Sequence, residues 1–215
     1  MKKIIFAVTL LFISITAFSQ SEKYMQVMQQ NIALLDSAKS KDDYQKLANK
    51  FEMIASKEQN QWLPFYYAAF CNQMMCYNGL KGDDIDVVCD KADVQLAKAD
   101  SLQPKNAEIM VLKARVTGAR VMVSPMTRGA KFGRKSGEIL QQAIAIDSLN
   151  PRAYLTAGQA LFYTPKMFGG GKEKAKPILQ KSADCYNKFQ PTTPLHPNWG
   201  KGFCGYLLMQ CEDKK

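Results

Sequence analysis

The sequence is poor in the residues on which most site chemistry depends. It has one histidine, His196, and no Cys-x-x-Cys pair, so the usual ligand spacing of a structural zinc site is missing. No stretch alternates apolar and polar residues over strand length, which removes the main signal for a sheet. After the first fifteen residues no apolar run is long enough to cross a bilayer. Acidic residues are also in deficit, 19 against 29 Lys and Arg, for a formal charge of +10.

What is present sets the compartment first. Lys2 and Lys3 precede an apolar core, Ile4 to Ile15, and Ala17-Phe18-Ser19 has the form of a cleavage box. The expectation is a signal peptide over 1–19, cut near Ser19, and a periplasmic chain of about 195 residues, with secretion as the alternative. A chain of that length suits a single helical-repeat domain, 20–215. An exported chain rarely meets nucleic acid, so the basic excess points instead to a solvated face or a membrane-surface contact. The six cysteines, Cys71, Cys76, Cys89, Cys185, Cys204 and Cys211, leave two readings open. Cys76 with Cys89, and Cys185 with Cys204 or Cys211, could pair in an oxidising compartment, or all six could be small buried apolar groups.

Helical periodicity runs through the rest. Tyr44, Leu47, Ala48, Phe51, Ile54 and Ala55 share one face after a candidate N-cap at Ser40. Trp62 to Met75 is a dense aromatic helix. Asp86 to Ser101 and Asn106 to Val123 follow, and Gly137 to Asp147 is expected as a helix capped by Ser136 behind a loop, Met126 to Lys135. Small residues recur where one helix meets its neighbour: Ala69, Ala114 and Gly158 lie at spacings of 45 and 44. The segments Ser124-Pro125 to Phe132-Gly133 and Thr164-Pro165 to Phe168-Gly169 look like two related hinges. The chain is therefore expected to be all-α, a right-handed α-solenoid of about four hairpins (22–57, 62–101, 106–147 and 151–189) with a terminal cap at 197–211.

Tyr154, Gly158 and Leu161, with Ala175 and Leu179, carry the register of a tetratricopeptide (TPR) hairpin. On these residues, on NPRAYLTAGQALFYTPKMFGGGKEKA and on HPNWGK, the chain resembles the TPR family. It resembles more closely a group of exported TPR-like proteins typical of Bacteroidota. The resemblance implies a helical fold, and Ser148, standing where the TPR consensus has proline, departs from it.

No catalytic, cofactor or metal site stands out. Gly169-Gly170-Gly171-Lys172 precedes a helix, but it lacks the strand and the Lys-Ser/Thr of a phosphate loop. An enzyme using His196 with Cys204 or Cys185 has no visible orienting group. The leading expectation is a non-catalytic scaffold or adaptor that binds a protein or peptide through Tyr66, Tyr67, Gln73, Lys113, Arg120, Gln159 and Tyr163. The alternative is a small-ligand-binding accessory protein of an envelope transporter, with Arg128, Lys131 and Arg134 as anion contacts.

Overall fold

The computed structural model describes residues 22–212; the expected leader lies outside the described residues. All regular structure among them is helical. In chain order the α-helices are α1 (22–33), α2 (Lys41–Lys57), α3 (Trp62–Tyr77), α4 (Asp84–Leu102), α5 (Ala107–Ala119), α6 (Pro125–Ile146), α7 (Pro151–Tyr163), α8 (Lys172–Lys188) and α9 (Lys201–Glu212). Helix α3 packs on α4, α5 on α6 and α7 on α8, while α3, α5 and α7 also touch in sequence. That packing fits the expected all-α class and a solenoid of hairpins.

Local chemistry sets the starts. Ser40 and Asp43 form a capping box at α2. Asn106 caps α5 through the amides of Glu108 and Ile109, and Asn150 caps α7 through Arg152 and Ala153. The two asparagines are 44 residues apart, and so are the pairs behind them. Glu108 meets Arg152, and Arg115 meets Gln159. Two contacts at the same offset, seven residues apart, show that α5 and α7 run parallel and in register. Gly158 allows a close crossing of α7 and α8, since a Cβ there would lie 2.6 Å from Leu179 Cδ2.

The two hinges differ. Thr164-Pro165 ends α7 and leads into a short 3-10 turn. Gly169 and Gly171 take positive φ there, and a Cβ on Gly170 would strike the Thr164 carbonyl. The amides of Gly169, Gly170 and Gly171 are spent on Lys166, Pro165 and Leu161 carbonyls, so the glycine triplet closes a turn and offers no phosphate cradle. Ser124-Pro125 breaks α5 only to start α6 at once, with Pro125 in the first turn. The expected loop from Met126 to Lys135 is helical, and Ser136 is not a cap. It sits in mid-helix and donates to the Ala114 carbonyl at 2.8 Å. Gly129 and Gly133 lie in open space on α6, where each costs the helix only about 1 kcal/mol.

The cysteines are free thiols. Cys76 on α3 and Cys89 on α4 face each other at 3.9 Å, while Cys204 donates to the Leu179 carbonyl and ties α9 down without a disulfide.

The deepest polar contact is the Glu108–Arg152 pair. The guanidinium Nε and Nη2 each donate to the carboxylate at 2.6 Å, and Arg152 is fully buried. Removing one partner leaves an uncompensated buried charge, at a cost of about 3–5 kcal/mol. Glu108→Gln is therefore expected to lower the unfolding free energy in urea by about 3 kcal/mol. Lys166→Ala, at a pair with both side chains more than two-thirds exposed, is expected to lower it by under about 1 kcal/mol. Equal losses would contradict the assignment.

Candidate functional site

The inner face of α3, α5 and α7 is the surface on which an open helical-repeat array takes a peptide. Here the chain's own segment between α8 and α9 lies on it. Leu195 is buried in the core formed by α2 to α5, and its carbonyl accepts from the Tyr67 hydroxyl at 2.9 Å. Trp199 packs against all three clusters of the core. Its indole N–H donates to the Tyr66 hydroxyl at 2.9 Å, its ring lies 5.3 Å from Phe70, and its carbonyl accepts from Tyr186. Gly200, at φ 102°, lets the strap turn against Tyr186 and Leu155, where any Cβ would collide.

The strap decides the fate of the expected contact residues. Tyr66, Tyr67 and Gln73 are buried and present no binding surface. Desolvation raises both phenols well above their ordinary range. Lys113 bonds Asp100 at 2.7 Å, and Arg120 bonds Asp86, Asp90 and Asp93, so both belong to contacts with α4. Gln159 and Tyr163 remain beyond the strap, and Tyr163 is 62% exposed.

Around those two the structure brings together a group that the sequence did not single out. Arg115, on α5, is buried. Its Nε donates to Gln73 Oε1 at 3.2 Å and its Nη1 to Gln159 Oε1 at 3.0 Å. The guanidinium lies over Trp199 at 4.9 Å and over Tyr77 at 5.6 Å. Tyr77 and Tyr163 end α3 and α7, and Tyr206 stands on α9; as whole residues all three are at least 40% exposed, although the Tyr77 phenol itself is desolvated. Desolvation raises the phenols of Tyr77 and Tyr163. Tyr163 adds to the shift at Tyr77, and Tyr206 to that at Tyr163. Such a group of rings offers flat apolar area with hydroxyl edges, and Tyr77 sets it beside one buried cation. No single stretch of sequence marks it, because each ring comes from a different helix.

The expected anion contacts divide. A cleft of about 390 Å³ between α4 and α6 is lined by Arg128 and Lys131, with Asp86, Asp90, Arg120, Thr127 and Phe132; Arg134 lies elsewhere. Arg128 is already bound to Asp86 at 2.6 Å, so of the two expected cations only Lys131 is without a carboxylate partner among the described residues. His196 lies on the strap. Its Nδ1 is 3.0 Å from Thr192 Oγ1 and its ring is 6.0 Å from Phe189; no thiol bonds it among the described residues.

No family model matches this chain, and no curated protein does. Among solved structures, the HusA haemophore from Porphyromonas gingivalis matches with a TM-score of 0.79 at 36% identity. The match covers 88% of this chain and 92% of that one. This finding overturns the expected protein-interaction scaffold. The similar protein is a haemophore, a binding protein for a small ligand, and the groove a peptide would need is occupied by the strap.

The strap also carries a pH dependence. Burial lowers the His196 pKa, with Arg152 in the same direction and Glu108 and Asp147 opposing. The folded chain therefore holds the proton less well than the unfolded one. That contribution to stability is present above the unfolded value of 6.5 and is lost as pH falls from there through the folded value. The urea midpoint should decline between pH 7 and 5, and His196→Asn should flatten that decline. An unchanged slope in the variant would rule out His196 as its source.

Proposed function

The chain belongs to the family of the HusA haemophore, and we propose that it is itself an exported, non-catalytic haem-binding protein. In this reading it is a small-ligand accessory protein of the envelope, with its leader removed near Ser19 and its periplasmic or secreted form carrying haem as cargo. The single observation behind the reading is the 36% identity across nearly the whole of a haemophore. The 44-residue offset between α5 and α7 also supports a TPR-derived ancestry of the Bacteroidota kind, reshaped by the strap.

The side chains fit such a cargo. Haem has a wide apolar face and two carboxylates. Tyr77, Tyr163 and Tyr206 supply exposed rings for the face, and Arg115 supplies a cation at their margin. Desolvation keeps the Tyr77 and Tyr163 phenols protonated, which suits stacking and hydrogen bonding. Iron ligation by His196 is disfavoured by position. The histidine faces the first turn of α7, near Arg152, while Tyr163 ends that helix, roughly 17 Å along its axis.

Titration of the protein with haem should give a saturable shift of the Soret band at one equivalent. Tyr163→Ala and Tyr77→Ala each remove a ring whose stacking is worth about 0.5–1.5 kcal/mol, so each should weaken haem affinity by up to roughly tenfold, and Tyr163→Ala, at a residue 62% exposed, should leave the unfolding curve in place. A folded wild-type chain that gives no saturable shift at micromolar haem would refute the proposal.

A further inference from the structure

Arg115 differs from the other arginines withdrawn from solvent. Arg152 has Glu108, Arg120 has three aspartates and Arg128 has Asp86. Arg115 is 6% exposed and has no carboxylate within 4 Å among the described residues. Its contacts are two neutral amides and two aromatic faces. An amide oxygen bonds a guanidinium but does not neutralise it, and a buried charge without a counter-charge weakens the fold that holds it. The same spot has a second surplus donor. Gln73 gives its oxygen to Arg115, and its own Nε2 is buried without any acceptor. The Arg115 Nη2 likewise finds no acceptor among the described residues.

A positive charge with an uncommitted donor and the adjoining, partly exposed Tyr77 ring together describe the complement of a carboxylate attached to a flat apolar body. We infer that Arg115 is the seat of a carboxylate of the bound tetrapyrrole and selects carboxylate-bearing macrocycles over neutral ones. The inference rests on the haem-binding reading. Trp199 and Gln159 hold the guanidinium in place, so its remaining donor is set before the ligand arrives, and a fixed planar guanidinium suits a carboxylate oxygen better than a mobile ammonium does.

The test compares haem with its dimethyl ester, in which both carboxylates are neutral, on the full mature chain, on Arg115→Gln and on Arg115→Lys. Wild type is expected to bind haem at least about tenfold more tightly than the ester. Arg115→Gln should lose that margin through weaker haem binding, with ester affinity unchanged, and its ligand-free thermal midpoint should be no lower than that of wild type. Arg115→Lys should recover part of the margin. Equal binding of haem and ester by wild type overturns the assignment, and so does an intact margin in Arg115→Gln. If wild type binds neither compound, the haem-binding reading itself fails, and this inference with it. The comparison on wild type needs no variant, so a misfolded substitution would not blunt it.

Discussion

The strap between α8 and α9 is the constraint on which the rest of the molecule depends. A stack of hairpins leaves an inner face of first helices, and this chain fills that face with its own Leu195 and Trp199. The ligand in that groove is intramolecular, so it competes at a high effective concentration with any free peptide. Among the described residues Trp199 is the only partly buried one packed against all three core clusters, and its hydrogen bonds reach α3 on one side and α8 on the other. Beneath it Arg152 is held from below by Glu108 and from above by the Phe189 ring at 4.3 Å. The buried ion pair, the strap and the register of α5 on α7 thus stand or fall together.

Filling the groove moves the exposed chemistry to its end. Tyr77, Tyr163 and Tyr206 stay at least 40% exposed as whole residues, with Arg115 against Tyr77. The formal positive charge does not gather there. Arg120 and Arg128 are tied to aspartates of α4, and that pairing turns an apparently basic stretch of sequence into a largely neutral seam. Composition alone pointed toward a solvated basic face or a membrane-surface contact, whereas the structure buries one arginine without a carboxylate partner among the described residues and packs it against two aromatic rings.

Much of the fold was legible because its signals are local. The small residues at Ala69, Ala114 and Gly158 mark close helix crossings, and Asn150-Pro151 and Ser40 mark helix starts by cap chemistry. The glycine triplet was readable as a turn because steric need is written in the residue type. Other features were hidden for physical reasons. Gly129 and Gly133 suggested a loop, but on the open side of α6 their cost is small, and the helix runs through them. The strap was visible only as a proline-rich stretch, since nothing in PTTPLHPNWG says what Trp199 touches. The proposed binding residues were the least legible. Tyr66 and Tyr77 lie on one helix and look alike in sequence, yet the strap buries the first and leaves the second open.

The central claim is that ligand binds at the open end of a groove whose interior is already filled. The most direct measurement is chemical-shift mapping of the isotopically labelled mature chain with gallium protoporphyrin, a diamagnetic stand-in for haem. The account predicts the largest shifts at Tyr77, Arg115, Gln159, Tyr163 and Tyr206, with Leu195 still bonded to Tyr67. Shifts concentrated on the Asp86–Phe132 cleft, or release of Leu195 and Trp199 from the inner face, would contradict it.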